Sequence, residues 1–150
     1  MKKIMLIGKI GCGKTTLCQR LFNEDPHYKK TQSIEVIGNT AIDTPGEYIE
    51  RKVFYRALIV TAVEADMILA LQDCSDTQWC FSPRMNSMFN RPIVGVLTKI
   101  DKCDDPERID YIEDLMHLLG AEKVFRVNSI TGEGVDELRQ FLEEDEETSG

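Results

Sequence analysis

The residues best suited to chemistry form a glycine-rich stretch from Gly8 to Thr15, in the order Gly-Lys-Ile-Gly-Cys-Gly-Lys-Thr. The apolar run from Ile4 to Ile7 precedes it and predicts a buried strand, and residues 16–22 predict a helix. Glycines let backbone N–H groups turn inward around an anion, and a helix N-terminus adds unpaired donors. The stretch therefore predicts a phosphate-binding loop between a strand and a helix.

Two side chains of this loop have predicted chemical roles. Lys14 can reach the β- and γ-phosphates of a nucleotide and assist phosphoryl transfer, and the Thr15 hydroxyl can ligate Mg²⁺. The other loop residues would surround the phosphates: Gly8, Lys9, Gly11, Cys12, Gly13 and Thr16.

A second polar group, Asp43-Thr44-Pro45-Gly46, follows a short predicted strand. Asp43 can hold Mg²⁺ through water, and Gly46 leaves room for its N–H to approach a γ-phosphate as part of the catalytic machinery. Glu47 comes next and could orient an attacking water or simply be a solvated residue in the first turn of a helix. Thr31 could supply a second hydroxyl to the metal, although Ser33 competes for that role and Thr31 could be an ordinary loop residue.

A third group, Thr98-Lys99-Ile100-Asp101, predicts the choice of base. A carboxylate at Asp101 can accept two hydrogen bonds from guanine, and adenine offers no matching pair of donors. The Lys99 stem can lie along the base or reach back toward the phosphate loop. Asn128, Ser129 and Ile130 follow the last predicted strand, and Ser129 could donate its backbone N–H to the guanine O6.

Strands alternate with helices along the chain, which predicts an α/β fold with a mostly parallel sheet and helices on both faces. A short hairpin from 33 to 42 is expected at one edge. Residues 48–62 are expected to form one amphipathic helix whose inner positions include Val53 and Val60. A short helix near Pro83 to Phe89 is the only regular element expected between 73 and 90. Because ligands sit at the carboxyl ends of parallel strands, Lys14, Asp43, Asp101 and Ser129 should converge there.

Composition limits the remaining possibilities. The 150 residues suffice for one domain, expected over 1–144, followed by an acidic tail at 145–150. The formal charge of −8 disfavours general binding to nucleic acid or anionic membranes, and no apolar run is long enough to span a bilayer. The five cysteines include no Cys-x-x-Cys pair and are interpreted as reduced thiols, which points to the cytoplasm.

Together these motifs resemble the ordered motifs of small Ras-like GTPases over essentially the whole chain. The short hairpin and the stretch Arg91-Pro-Ile-Val-Gly-Val-Leu-Thr-Lys-Ile-Asp101 narrow the resemblance to the ethanolamine-utilisation P and propanediol-utilisation V family, which is similar to translation-factor-class GTPases. The resemblance implies GTP or GDP with Mg²⁺ as cofactors. It also implies a shell or pathway protein of a bacterial microcompartment as partner.

Three features depart from the Ras-like pattern. The segment from Thr31 to Asp43 is short, so the role of Thr31 is open. Glu47 stands where Ras-type proteins have a water-orienting glutamine. Thr98 replaces the usual asparagine of the base motif, which removes an amide donor and predicts modest guanine affinity.

Three functions therefore stay open: a slow GTPase switch, a small-molecule kinase that passes a phosphoryl group to a carboxylate such as acetate, and a nucleotide-stabilised adaptor. The sequence allows a homodimer as well as a monomer. The residues considered for a docking surface, with sheet packing as the alternative, are Trp79, Phe81, Met85, Met88 and Phe89.

Overall fold

The computed structural model describes the backbone of residues 3–21, 35–37 and 41–148, and the side chains of 3–21 and 41–143. Thr31 and Ser33 lie outside these ranges. The strands are β1 (Ile4–Gly8), β2 (Glu35–Ile37), β3 (Ala41–Asp43), β4 (Met67–Asp73), β5 (Ile93–Thr98) and β6 (Ala121–Arg126). The helices are α1 (Lys14–Leu21), α2 (Gly46–Glu50), α3 (Tyr55–Ala62), α4 (Met85–Phe89), α5 (Pro106–Leu119) and α6 (Val135–Thr148). Two 3₁₀ turns, Lys52–Phe54 and Ile100–Lys102, complete the described elements.

The strands form one six-stranded sheet in the order β2-β3-β1-β4-β5-β6. β2 pairs antiparallel with β3, as the expected hairpin requires, and the other neighbours are all parallel. Five parallel strands therefore share one direction, and their carboxyl ends lie along one edge of the sheet. The predicted α/β class with a short antiparallel strand at the sheet edge is confirmed.

Both faces of the sheet are covered, which explains why the central strands are continuously apolar. Met5 and Ile7 of β1 pack with α2, α3, α4 and α5 on one face. Ile4 and Leu6 point to the other face, where they pack with α1 and α6. α5 ends as expected at Gly120, whose φ of 109° is readily adopted only by glycine.

The expectation of one helix over 48–62 is wrong. Arg51 is extended, with φ −129° and ψ 122°, so α2 ends there and a 3₁₀ turn leads into α3. This break resets the helical phase, and two residues expected on the inner face point to solvent instead. Val53 is 77% exposed and Val60 is 63% exposed.

The aromatic and methionine residues between 79 and 89 pack against the sheet rather than forming an open docking surface. Phe81, Met85 and Phe89 are buried in the core, with Trp79 and Met88 half-buried against it. Pro83 lies just before α4, which begins at Met85. Among the described residues no helix has the length and apolarity to cross a membrane.

Candidate functional site

Within the described part of the chain, the predicted functional residues lie at the carboxyl edge of the sheet because they end or follow parallel strands. Gly8 ends β1, Asp43 ends β3 and Thr98 ends β5, while Asn128 lies two residues beyond β6. β1 is the third strand in the sheet and β4 lies between it and β5, so the phosphate loop is central in this row. The expected convergence of Lys14, Asp43, Asp101 and Ser129 along this edge follows from the strand order.

The glycine-rich loop has the backbone geometry that its composition predicts. Gly11 and Gly13 have φ values of 83° and 100°, in the left-handed region that other residues rarely adopt. Gly8 has no room for a side chain, since a Cβ there would lie 2.6 Å from the Cys12 Sγ and 2.9 Å from the Leu71 carbonyl oxygen. These positions let the loop turn tightly over the end of β1 and into α1.

Lys14 is buried at the start of α1, and its ammonium is held by the loop itself. The Nζ atom donates to the carbonyl oxygen of Gly8 at 2.7 Å and to that of Lys9 at 3.4 Å. A buried ammonium needs such acceptors, and phosphate oxygens are stronger acceptors than carbonyls. Lys14 is therefore placed to exchange these carbonyls for a bound phosphate. Thr16 lies half-buried in the first turn of the same helix.

Thr15 and Asp43 come from distant parts of the chain and meet directly. The Thr15 hydroxyl donates to Oδ2 of Asp43 at 3.0 Å, and Asp43 is buried. A hydroxyl beside a carboxylate supplies the oxygen ligands that Mg²⁺ prefers, with phosphate oxygens and waters completing the shell. This pair fits a magnesium site. In the parts of the chain that the structure describes, no cluster of three or more His, Cys, Asp or Glu residues forms a separate metal site.

Gly46 brings the second polar group against the phosphate loop. A Cβ added at Gly46 would lie 2.4 Å from the backbone nitrogen of Ile10 and 2.7 Å from its Cα. Only glycine allows this contact, which places the start of α2 beside the loop. Glu47 is exposed and makes no hydrogen bond or ion pair with the described residues, so the structure does not aim it at the site.

The base motif is joined to the phosphate loop by its first two residues. The buried Thr98 hydroxyl donates to the Cys12 carbonyl oxygen at 2.6 Å. The Lys99 ammonium donates to the Gly11 carbonyl oxygen at 2.6 Å and pairs with Asp73 at 3.2 Å. Of the two orientations open for Lys99, the structure has the one that reaches back to the loop. Although Thr98 replaces asparagine, its hydroxyl still bonds the loop.

Asp101 and the 128–130 loop, predicted to bind a guanine base, have polar groups without a partner among the described residues. Asp101 is exposed and has no hydrogen-bond or ionic partner among the described residues. Asn128 is buried, and its Oδ1 accepts from the N–H of Ile130 at 3.0 Å and from that of Thr131 at 3.3 Å. This bonding shapes the loop but leaves the Ser129 N–H without a partner among the described residues. Asn128 therefore holds the shape of the loop by these hydrogen bonds. Ile130 in the same loop is 76% exposed.

Contacts of Lys9 were not foreseen from the sequence. Its ammonium pairs with Asp76 at 3.1 Å and also bonds the Gln78 side chain. The N–H of Gln78 donates to Asp76, and this bond, followed by the Lys9 ammonium, lowers the pKa of the Asp76 carboxyl. The loop after β4 is thus attached to the phosphate loop. The cue in the sequence is Lys9, a charged residue directly after Gly8 in the glycine-rich loop.

The thiols near the site are held in their neutral form. All five cysteines are free. Burial raises the pKa of the Cys12 thiol, with the Lys14 charge acting in the opposite direction. Burial also raises the pKa of Cys80 to about 11. Neither thiol is therefore activated as a nucleophile at neutral pH.

Comparison with known families matches residues 1–144 to the family described as "Ethanolamine utilisation - propanediol utilisation" (PduV-EutP). The chain belongs to the PduV-EutP family. One relative, "Propanediol utilization protein PduV" of Citrobacter freundii, is 47% identical over 143 residues, covering 95% of this chain and 93% of the relative. "Probable acetate kinase EutP" of Escherichia coli (strain K12) is 30% identical over 144 residues, covering 95% of this chain and 89% of the relative.

Solved structures show that this PduV-EutP chain has the fold of a Ras-like G domain. Era in complex with MgGDPNP and 16S ribosomal RNA matches with a TM-score of 0.64 and 23% identity, over 94% of this chain and 55% of that one. The elongation factor SelB of Methanococcus maripaludis, with a GTP analogue, matches with a TM-score of 0.66 and 23% identity, over 94% and 32%. The chain thus spans about half or a third of these larger proteins, and the likeness concerns the fold.

Proposed function

We propose that this protein binds GTP and GDP together with Mg²⁺ at the carboxyl edge of its sheet and hydrolyses GTP slowly. Its role would be accessory to ethanolamine or propanediol utilisation, in the cytoplasm and at a microcompartment. The observation that carries the proposal is the direct bonding of the base motif to the phosphate loop, through Thr98 and Lys99. That bonding fixes the distance between a base-binding carboxylate and a phosphate-binding loop, as recognition of a purine nucleotide requires.

The ionic part of the proposed site is assigned to three residues. Lys14 would exchange the Gly8 carbonyl for the β- and γ-phosphates, and Thr15 and Asp43 would hold the metal. The bound Mg²⁺ would neutralise charge on the phosphates. Gly46 would offer its backbone N–H to the γ-phosphate from the segment that contacts the loop at Ile10. Thr31 is retained as a candidate second metal ligand from the sequence alone.

Slow turnover is expected because no described arginine or glutamine is fixed at the γ-phosphate position. Arg51 and Arg56 are exposed and make no bond with the described residues, and Glu47 is likewise unbound. An arginine finger typically contributes roughly 10³–10⁵ to the rate, and a glutamine orients the water. We therefore expect the isolated protein to hydrolyse bound GTP slowly, and a partner to be needed for fast turnover.

Calorimetry with GTP, GDP and ATP, with and without Mg²⁺, tests this proposal directly. Guanine nucleotides should bind and ATP should bind much more weakly, and Mg²⁺ should strengthen GTP binding. Asp101→Asn should shift preference from guanine toward xanthine, because the amide donates where the carboxylate accepted. Asp104→Asn, an exposed aspartate three residues away, is the matched control and should leave the preference unchanged. Equal affinity for ATP and GTP would refute the assignment of the base site.

A second candidate function is transfer of the γ-phosphoryl group to acetate, and it is supported by the relatives named "Probable acetate kinase EutP". The reaction would break the bond between the γ-phosphorus and the β–γ bridging oxygen and form a bond to a carboxylate oxygen. The products are acetyl phosphate and a nucleoside diphosphate. Trapping acetyl phosphate with hydroxylamine, in wild type and Lys14→Ala, distinguishes the two functions. Phosphate release without acetyl phosphate supports the GTPase, and nucleotide binding with no turnover supports the adaptor.

A further inference from the structure

The outer edge of the sheet at β6 forms an open groove. β6 is the last strand in the sheet, and its backbone lies between α5 and α6. A cavity of about 460 Å³ runs along it, with residues 123–126 as its floor, Glu113 of α5 on one side and Glu137 of α6 on the other. An uncovered edge strand presents unpaired N–H and C=O groups, and such an edge can add another strand.

The backbone direction shows which residue is central to that edge. The Val127 N–H donates inward to the Leu97 carbonyl oxygen at 2.8 Å. Along a strand, the N–H and C=O groups of successive residues point alternately toward one neighbouring strand and toward the other side. The N–H and C=O of Val124 therefore both point away from β5, into the groove. Arg126 shares this direction, but its carbonyl oxygen is closely approached by Gly134.

The long side chains next to Val124 are folded away from the edge. The Lys123 ammonium lies 5.1 Å from the ring centroid of Phe125 and 5.0 Å from that of Phe141, on the α6 side. Arg126 turns toward α5, where it pairs with Glu113 and with Asp110 at 3.0 Å. Lysines and other charges that project across an edge normally prevent strand addition. Here they are held to the two sides, and the edge at Val124 stays accessible.

We propose that β6 pairs antiparallel with β6 of a second copy of this chain, with the two-fold axis at Val124. The two Val124 residues would exchange both N–H···O bonds, as directly opposed residues do in an antiparallel ladder. The order Glu122-Lys-Val-Phe-Arg126 is self-complementary about its centre, since antiparallel pairing sets Glu122 of each chain opposite Arg126 of the other. A two-fold interface requires such self-complementarity. The attraction between Glu122 and the opposing Arg126 also offsets the repulsion expected between two chains of charge −8.

Cysteine crosslinking tests the position of the axis. Opposed residues in a hydrogen-bonded antiparallel pair have Cα atoms about 5.5 Å apart, within the range of a disulfide. Under mild oxidation Val124→Cys should form a covalent dimer, while Glu143→Cys, an exposed position on α6, should not. Wild type carries the native thiols and corrects for their reactivity. Equal crosslinking of both variants, or none in Val124→Cys, would overturn the proposed axis.

Sedimentation equilibrium tests the pairing without new cysteines. Wild type should populate a species of twice 17.1 kDa as its concentration rises. Glu122→Lys should raise the dimer dissociation constant roughly tenfold, because it places a lysine opposite Arg126 of the other chain. The two-fold symmetry makes this like-charge contact occur twice. Glu64→Lys makes the same charge change on an exposed residue just beyond α3 and should leave the dimer unchanged. A chain that stays monomeric at every concentration, or two variants that dimerise equally, would refute the interface.

Discussion

The bond between the Thr98 hydroxyl and the Cys12 carbonyl gives the sharpest test of how the site is built. Thr98 is 1% exposed, and the bond measures 2.6 Å. Thr98→Val keeps the side-chain volume and suits a strand, but it leaves a buried loop carbonyl without this donor. Leaving such a group unsatisfied costs about 1–3 kcal/mol. The change should therefore lower the free energy of unfolding by that amount and loosen the phosphate loop.

Thermal and urea unfolding measure the loss, and calorimetry with GDP measures its effect on binding. For a chain of this size about 1–3 kcal/mol corresponds to roughly 2–12 °C in Tm. Thr61→Val is the matched control, since its hydroxyl donates at 2.7 Å to the Ala57 carbonyl within the same helix. A back-bond of that kind adds little stability, so a change within about 0.5 kcal/mol is expected. Thr98→Ser should restore GDP binding because it keeps the hydroxyl.

If Thr98→Val unfolds with the same free energy as Thr61→Val and binds GDP as wild type does, the hydroxyl does not hold the loop. If both Thr98→Val and Thr98→Ser lose GDP binding equally, the methyl packing of Thr98 matters rather than its bond.

Three other perturbations have expected outcomes. Gly46→Ala should reduce triphosphate affinity more than diphosphate affinity, because a Cβ 2.4 Å from the Ile10 nitrogen would push the segment proposed to contact the γ-phosphate away from the loop. Equal loss of affinity for both nucleotides in calorimetry would contradict this. Iodoacetamide at neutral pH should spare Cys12 in the native protein and label it in urea, as mass spectrometry can check, since burial raises its pKa. The free energy of unfolding should fall as pH rises above 9.0, because the unfolded chain releases the Cys80 proton near 9.0 and the native chain holds it to about 11. That fall should be smaller in Cys80→Ser, and an unchanged pH dependence would exclude Cys80 as its source.

The sequence correctly predicted the elements that depend on neighbouring residues alone. Strand β1 and its loop follow from an apolar run and three glycines, and the end of α5 follows from Gly120, whose backbone favours glycine. The helical periodicity of 48–62 failed because one extended residue, Arg51, resets the phase, and nothing in the local pattern marks it. The sequence left open whether the residues from Trp79 to Phe89 form a docking surface or pack on the sheet, and only tertiary packing decides this, by burying Phe81, Met85 and Phe89 and half-burying Trp79.

The proximity of several predicted site residues could be foreseen from the sequence, but the hydrogen bonds between them could not. Strand order brings Thr15 to Asp43 and Lys99 to Gly11, so their convergence could be foreseen from the alternation of strands and helices. The attachment of Lys9 to Asp76 depends on how the loop after β4 folds back, which sequence spacing does not specify. The direction of the Lys99 side chain was not predictable from the sequence either, because lying along the base and reaching back to the phosphate loop both suited its chemistry.

Helix α1 connects the phosphate loop with the 128–130 segment. It begins at Lys14 in the phosphate loop, and near its other end the Arg20 guanidinium bonds the Ile130 carbonyl oxygen at 2.9 Å. Arg139 of α6 holds the same end by donating to the carbonyl oxygens of Arg20 and Leu21. If a base binds beside the 128–130 segment as proposed, we expect substitutions of Arg20 or Arg139 to change base preference by shifting that segment, without altering any group that would contact the ligand.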